Sequence, residues 1–154
     1  MKIATIMNPR IATTGPDTRF IDLLKTMRGK PSRLMHVVAQ DGKLLGVISN
    51  YDVLKVMLPF YVDSNLARAV AFDEEFARRT LEDNKGLAAK DLMVEDCVTL
   101  TADSHFLEAE ALLKEKGVNA LSVVDAAGRA VGEVTRKAVL SKLIDLLAPD
   151  TKSE

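Results

Sequence analysis

The sequence contains an internal repeat: the second half of the chain follows the first without a gap at an offset of 86 residues (93 − 7). Identical residues at this offset include Met7 and Met93, Thr13 and Thr99, Asp17 and Asp103, Phe20 and Phe106, Gly42 and Gly128, and Gly46 and Gly132. A repeat of this length indicates two copies of one supersecondary unit. Two copies are too few for a solenoid, which needs at least three to build a stacked core. We therefore expect a pseudo-twofold pair of units with clefts where they meet.

The size and charge of the chain limit its class. Its 154 residues, 47% of them hydrophobic, suffice for one compact body with a core, or for two half-domains that cannot exist apart. A formal net charge of −1 gives no general attraction to nucleic acid or to an anionic membrane. The single cysteine, Cys97, excludes an internal disulfide and fits a reducing compartment. Neither a signal peptide nor an apolar run of about 18 residues is present. We expect a soluble cytoplasmic protein that binds neither nucleic acid nor membrane.

Each copy is predicted to fold as a β-α-β-β-α unit, which makes the fold class α+β. In the first copy, apolar spacing and turn signals predict strand 11–13, helix 20–27, strands 34–39 and 44–48, and helix 50–58. In the second copy they predict strand 97–99, helix 103–116, strands 121–124 and 130–134, and helix 135–147. Asp17 is expected to cap the first helix or to lie in its first turn. Asp41-Gly42 is a strong hairpin signal, and Ser49 is a typical helix cap.

The domain boundaries follow from the repeat. We expect a first unit over 1–59, a helical insert or linker over 60–88, a second unit over 89–148 and a frayed polar tail over 149–154. The insert is predicted to contain one amphipathic helix that begins near Asp73 and ends before Gly86. Its mixed charges are typical of a solvated face, and a packing or dimerisation element is the alternative. Both interpretations stay open at this point.

The last strand-to-helix junction of the first unit reads Gly46-Val47-Ile48-Ser49-Asn50-Tyr51-Asp52. Supporting stretches are Ile6-Met7-Asn8-Pro9, the hairpin around His36 to Lys43, Ala89-Lys90-Asp91-Leu92-Met93, and Ser122-Val123-Val124-Asp125. With these stretches, the two units together resemble a CBS-domain pair, also called a Bateman module. The resemblance covers about residues 1–58 and 88–147. It implies two units packed sheet to sheet with pseudo-twofold symmetry, and a regulatory module rather than an enzyme.

The resemblance also implies partners. Two clefts would accept adenosyl ligands such as AMP, ADP, ATP or S-adenosylmethionine, and no cofactor would be required. Such pairs often form disc-like homodimers. Because the sequence carries no effector domain, we expect its output to act on an effector protein in trans or through its own assembly. A ligand-free dimerisation or interaction scaffold is the alternative function.

The first cleft is expected around the junction between Ser49 and Asp52. A helix that begins after Ser49 offers free backbone amides to a phosphate. The carboxylate of Asp52 is suited to accept hydrogen bonds from both ribose hydroxyls. Gly46 would let the backbone approach the ligand, and the base would lie against Ile11 and Val47. The predicted lining is Thr13, Arg33, Leu34, Met35, Val47, Ser49 and Asp52. The same Ser-x-x-Asp pattern also forms a capping box without any ligand, and the two roles are compatible.

The second cleft is expected to be weakened. Ala138 stands where the first copy has Asp52, and Glu133 puts a charge where the first copy has Val47. The predicted lining of this cleft is Thr99, Asn119, Ala120 and Thr135. Arg136 and Lys137 are candidate phosphate contacts that could cluster with Arg33, and each alone is typical of a surface cation.

No catalytic or metal-binding pattern is evident. The sequence lacks a nucleophile elbow, a P-loop and a dinucleotide-binding glycine pattern. His36 and His105 have no partners at metal-ligand spacing, and we expect both to be structural with satisfied hydrogen bonds. Cys97 aligns with Ile11 and is expected in the core. The sequence therefore favours a binding module, without a metal site, over an enzyme.

Overall fold

The computed structural model describes residues 1–30, 32–58, 60–69 and 74–148. The first repeat comprises a helical turn (Ile3–Thr5), β1 (Ala12–Thr14), α1 (Phe20–Met27), β2 (Leu34–Val38), β3 (Leu44–Ser49) and α2 (Asn50–Met57). Two helices follow, α3 (Ser64–Ala69) and α4 (Glu74–Asp83). The second repeat comprises α5 (Ala89–Leu92), β4 (Thr99–Leu100), α6 (Phe106–Lys116), β5 (Ala120–Val124), β6 (Ala130–Thr135) and α7 (Arg136–Leu147). The prediction of an α+β fold with two β-α-β-β-α units is confirmed, with one short helical segment added before each unit.

Each repeat builds a three-stranded sheet with the same topology. In the first, β2 lies between β1, to which it is parallel, and β3, to which it is antiparallel. In the second, β5 lies between β4 and β6 in the same way. The hairpin turns require positive φ angles, which Gly42 (87°) and Gly128 (79°) supply. The two hairpins meet at equivalent residues, because Lys43 pairs with Arg129.

The contacts between the repeats are reciprocal. Asn8 and Glu133 exchange backbone hydrogen bonds of 2.8 and 3.0 Å, and Val47 and Val94 exchange bonds of 3.1 and 2.9 Å. At the offset of the repeat, Asn8 is the equivalent of Val94 and Val47 is the equivalent of Glu133. The same contact is therefore made twice, in opposite directions, as a pseudo-twofold axis requires.

The repeats exchange their opening segments. One core consists of Ala12, Phe20, Leu23, Met35, Val37, Ile48, Val53, Ala89 and Leu92. The other consists of Ile3, Leu100, Phe106, Ala109, Leu113, Leu121, Val123, Val134 and Val139. Ile3 thus belongs to the second core, and its amide donates to Ser104 at 2.9 Å. Ala89 belongs to the first core, and its amide donates to Thr18 at 2.9 Å. The order of residues along the chain therefore does not coincide with the way that they pack.

The first helix spans its predicted residues, but the expected role of Asp17 as its cap or first-turn acid is wrong, as is the expected start of the second-copy helix at Asp103. α1 begins at Phe20 without a side-chain cap, and α6 begins at Phe106 after a cap by the ring of His105. Asp17 instead accepts a hydrogen bond from the ammonium of Lys90 at 2.9 Å, and Asp103 accepts one from Lys2 at 2.7 Å. Each of these carboxylates therefore forms an ion pair with a lysine of the other repeat and does not cap a helix.

The insert contains two described helices where the sequence predicted one. Leu81 of α4 packs against the first core, and the side chain of Asn84 donates to the carbonyl of Val56 at 3.4 Å. One face of α4 is therefore a packing face, while its acidic start stays exposed. The expected beginning of the insert helix at Asp73 and the predicted tail over 149–154 lie outside the described residues. The boundaries drawn along the chain stay predictions.

Candidate functional site

A cleft of about 590 Å³ lies where the two repeats meet, at the start of α2. We refer to it as the first cleft. The first repeat contributes Arg33, Leu34, Val47, Ser49, Asn50, Tyr51 and Asp52. The second repeat contributes Val94, Asp96, Cys97, Val98 and all residues from Lys116 to Ser122. A helix N-terminus from one repeat thus faces the segments before β4 and β5 of the other.

Ser49 and Asp52 form a capping box at the start of α2. The backbone amide and the hydroxyl of Ser49 both donate to Oδ2 of Asp52, at 2.8 and 2.9 Å. The amide of Asp52 donates back to the Ser49 hydroxyl at 3.3 Å. The second carboxylate oxygen, Oδ1, lies 3.5 Å from the ammonium of Lys55. The predicted cap is therefore present, and Oδ1 is the oxygen of Asp52 that a ligand could engage.

The charged side chains of the first cleft are balanced. Arg33 and Lys116 supply two positive charges, and Asp52 and Asp96 supply two negative charges. The apolar part of the wall includes Val47. A cleft with an apolar wall and a few polar groups is typical of small-molecule sites.

Two equivalent buried side chains carry polar atoms without a partner among the described residues. They are Ser122, a lining residue of the first cleft whose Oγ is unpaired, and His36, whose Nε2 is unpaired. The other ring nitrogen of His36 donates to the carbonyl of Ala12 at 3.3 Å. Burial lowers the pKa of His36, opposed by the hydrogen bond to Ala12 and by the charge of Glu133. The expectation that the hydrogen bonds of His36 are satisfied therefore holds for Nδ1 and is wrong for Nε2.

Cys97 lies in the wall of the first cleft and is half-buried, so its expected place in the core is wrong. Burial raises the pKa of its thiol. The side chain is therefore a neutral thiol at neutral pH, which argues against a nucleophilic role.

Glu133 is buried, with 1% of its surface exposed, at the position where the first repeat has Val47. Its carboxylate accepts hydrogen bonds from the amide of Arg33 at 2.8 Å and the amide of Leu34 at 3.3 Å. The hydroxyl of Ser32 lies 2.7 Å from the carboxylate and 2.6 Å from the carbonyl of Leu34, so its one proton is shared between these two acceptors. All three donors belong to the other repeat. The charge that the sequence analysis expected in the second cleft is thus held by hydrogen-bond donors of the first repeat.

Most of the predicted lining of the first cleft lies where it was expected. Arg33, Leu34, Val47, Ser49 and Asp52 line it. Met35 does not, because successive side chains of a strand alternate and the side chain of Met35 packs in the first core. Thr13 is exposed on β1, outside the lining. Gly46 does not serve a ligand either: its open side faces Met93 and the carbonyl of Val94.

The residues assigned to the second cleft are divided. Asn119 and Ala120 line the first cleft instead, because the pseudo-twofold axis brings the start of β5 opposite the start of α2. Thr99 is exposed on β4. Thr135 caps α7 by accepting from the amide of Ala138 at 3.1 Å. No carboxylate at position 138 completes that cap.

Of the predicted cluster of Arg33, Arg136 and Lys137, Arg33 alone is among the residues that line the first cleft. The guanidinium of Arg136 donates to the carbonyl of Val118 at 2.7 Å, and Lys137 is exposed. Arg33 shares the first cleft with Lys116, which sequence reasoning missed.

Comparison with known proteins settles the family. The sequence model of the CBS domain matches residues 3–59 and 89–145. The chain belongs to the CBS-domain family. CBS-domain pairs are regulatory modules and not catalysts, as the resemblance implied. A CBS domain-containing protein of Dictyostelium discoideum is 29% identical over 148 residues, which span 96% of this chain and 94% of that protein.

Solved CBS-pair structures share the fold. The CBS-pair protein CBSX2 of Arabidopsis thaliana superposes with a TM-score of 0.75 at 23% identity, over 95% of this chain and 96% of that one. A structure of CBSX2 in complex with AMP gives a TM-score of 0.71, over 95% of this chain and 98% of that one. The cytosolic domain of the Mg²⁺ channel MgtE in complex with ATP gives 0.64 at 20% identity, over 88% of this chain and 46% of that one.

Two further observations concern the described residues of this CBS-domain pair. No helix among them is long and apolar enough to cross a membrane. They include no group of three or more His, Cys, Asp or Glu side chains that could hold a metal ion.

Proposed function

We propose that this CBS-domain pair is a sensor that binds an adenine nucleotide or another adenosyl ligand in the first cleft and changes its contact with an effector protein or its own assembly. The observation that carries the proposal is the position of Asp52. Its buried carboxylate lies at a helix N-terminus in the wall of a cleft that crosses the seam between the repeats. A ligand there would contact both repeats at once.

The chemistry of the cleft suits each part of such a ligand. The two ribose hydroxyls would donate to Oδ1 of Asp52, whose charged neighbour among the described residues is the exposed ammonium of Lys55 at 3.5 Å. Phosphate would lie at the start of α2, with Arg33 and Lys116 as counter-charges. The base would lie against Val47, and the unpartnered hydroxyl of Ser122 would meet a polar atom on its edge.

Two proteins of this fold support the ligand class. CBSX2 has been solved with AMP, and the cytosolic domain of MgtE has been solved with ATP. At 23% and 20% identity these two structures show the shared fold, and the thermal-shift panel below tests which ligand this chain binds.

A thermal-shift panel with AMP, ADP, ATP and S-adenosylmethionine tests the proposal. A ligand at 100 times its Kd stabilises the folded state by about 2.7 kcal/mol, which corresponds to a rise in Tm of about 5–10 °C for a chain of this size. We expect at least one ligand to give this rise in the wild type, and Asp52→Ala to lose it. A rise that survives Asp52→Ala would move the site elsewhere, and no rise with any ligand would favour the scaffold function.

We further propose that the protein is a cytoplasmic homodimer. Exposed apolar side chains occur at equivalent positions of both repeats: Ile21 and Leu107, Leu54 and Leu140, and Leu58 and Ile144. The pseudo-twofold axis therefore repeats one apolar patch, and a second copy of the chain is the partner that could cover both patches with one type of contact.

Sedimentation equilibrium tests the dimer. The wild type is expected to sediment as a dimer, and the pair of substitutions Leu54→Glu and Leu140→Glu is expected to give a folded monomer. A monomeric wild type would overturn the dimer. Small-angle scattering with and without the stabilising ligand then tests whether a shape change transmits the signal, since a ligand can shift only states for which its affinity differs.

A further inference from the structure

The carboxylate of Glu133 makes contacts that resemble those of a bound anion. Its three donors, the amides of Arg33 and Leu34 and the hydroxyl of Ser32, all converge on one side chain from the neighbouring repeat. The hydroxyl of Ser32 lies 2.7 Å from one carboxylate oxygen, and the amide of Arg33 lies 2.8 Å from the other. Both oxygens of the carboxylate therefore have hydrogen-bond donors.

The place that Glu133 occupies follows from the pseudo-twofold axis. Its donors Ser32, Arg33 and Leu34 are the equivalents of Val118, Asn119 and Ala120, which line the first cleft opposite Val47. In the first cleft the corresponding space is open. In the second cleft, the longer side chain of Glu133 crosses it and ends on the opposite wall.

We infer that Glu133 is an internal ligand of the second cleft, which closes that cleft and leaves each chain with one site for an adenosyl molecule. The count of one site rests on the proposed function, whereas the closure by Glu133 does not.

Displacing Glu133 would be costly for a competing ligand. The hydrogen bonds from the amides of Arg33 and Leu34 would break, together with the shared one from Ser32, and the carboxylate of a residue that is 1% exposed would lose its partners. The second cleft offers little in return, because Ala138 supplies no acceptor for ribose hydroxyls. The closure is therefore a property of the folded chain and needs no effector.

Rescue by a small carboxylate tests the closure without any nucleotide. Glu133→Ala removes the carboxylate and leaves its three donors facing the vacated space. We expect acetate or formate to raise the Tm of this variant in a concentration-dependent manner, relative to chloride at equal ionic strength. The wild type and the matched variant Val47→Ala are expected to show no such difference. Equal responses of Glu133→Ala and wild type would overturn the inference.

A wild-type measurement covers the case in which Glu133→Ala does not fold. The amide hydrogens of Arg33 and Leu34 should exchange slowly with solvent in the wild type, and at least one of them should exchange faster in the isosteric variant Glu133→Gln. Rapid exchange of both amides in the wild type would show that the carboxylate does not hold them.

Stoichiometry by titration calorimetry tests the count of sites with the ligand that the thermal-shift panel selects. We expect one ligand per chain for the wild type and for Ala138→Asp, and two for Glu133→Val combined with Ala138→Asp. Two ligands per chain in Ala138→Asp alone would show that Glu133 does not close the cleft. If no ligand binds the wild type, the proposed function fails, while acetate rescue still decides the role of Glu133.

Discussion

Gly46 lies so close to Val94 that a Cβ atom added to the glycine would come within 2.8 Å of the Val94 carbonyl oxygen. That oxygen accepts the amide of Val47 across the seam, so it cannot move without weakening the contact between the repeats. We expect Gly46→Ala to lower the free energy of unfolding by about 1–3 kcal/mol, as overpacking in a core does. Urea unfolding monitored by circular dichroism measures the loss.

The equivalent glycine provides the control. A Cβ at Gly132 would meet the flexible side chain of Met7 at 3.1 Å and the carbonyl of Asn8 at 3.2 Å. Gly132→Ala should therefore cost less than Gly46→Ala. An equal or larger cost would contradict this account of the seam.

Substitutions of Asp52 should separate the helix cap from ligand binding. Asp52→Ala removes the acceptor of two hydrogen bonds from Ser49 and is expected to cost about 1 kcal/mol of stability. Asp52→Asn keeps an acceptor for the cap and should retain most of that stability. Both variants are expected to lose the Tm rise with nucleotide. An undiminished rise in both would exclude Asp52 from the ligand site.

Completing the second capping box should stabilise the protein. Thr135 already accepts from the amide of Ala138, but no side chain reaches back to the amide of Thr135 from position 138. Ala138→Asp is expected to add about 0.5–1 kcal/mol, by analogy with the box between Ser49 and Asp52. Thermal unfolding in the absence of ligand measures the gain, and Ala138→Asn, which lacks the charge, should gain less. A loss of stability in Ala138→Asp would show that the start of α7 differs from that of α2.

The pH dependence of stability should report on His36. Burial lowers the pKa of His36 in the folded state, so below about pH 6.5 the unfolded chain takes up a proton that the folded chain does not. Stability is therefore expected to fall as the pH falls below about 6.5, by up to about 1.4 kcal/mol per pH unit. Urea unfolding between pH 5 and pH 8 measures this slope. It should flatten in His36→Gln and persist in the control His105→Gln, whose wild-type ring is exposed. A slope unchanged by His36→Gln would assign it to other groups.

Alkylation of Cys97 should report on occupancy of the first cleft. Burial raises the pKa of this thiol, so the reactive thiolate is scarce at pH 7 and the rate should rise about tenfold per pH unit toward alkaline pH. The chain has no other cysteine, so intact mass after treatment with N-ethylmaleimide gives the rate directly. A nucleotide in the first cleft is expected to slow it several-fold. Equal rates with and without a ligand that raises Tm would move that ligand out of the first cleft.

The sequence predicted the repeated unit well, since the identical residues at one offset fix both the number of units and their common topology. Its apolar residues at helix and strand spacing also mark many of the side chains that are buried, although Cys97 was misplaced. The sequence does not say against which unit they are buried. For that reason the packing of Ile3 in the second core and of Ala89 in the first core was not foreseen. Asp17 and Asp103 were misassigned because their partners, Lys90 and Lys2, lie in the other repeat.

Of the residues that line the first cleft, the sequence analysis assigned to it only residues that the first repeat contributes. Ser49 and Asp52 belong to a local motif, so the sequence order reveals them. Lys116 and Ser122 come to the same cleft from the other repeat, which only the relative orientation of the units determines. The charge of Glu133 was noticed, but its three donors depend on tertiary structure.

The exchanged opening segments bear on how such a chain could have originated. A polypeptide with a single unit would lack a piece of its own core, and it could recover that piece only from a second copy that gives its arm in return. The reciprocal contacts at the seam are those of an isologous dimer, so the ancestor we expect is a dimer with swapped arms. Joining its subunits would have made assembly independent of protein concentration. It would also have freed the two copies to diverge, so that one kept an aspartate at its helix start while the other acquired a buried glutamate.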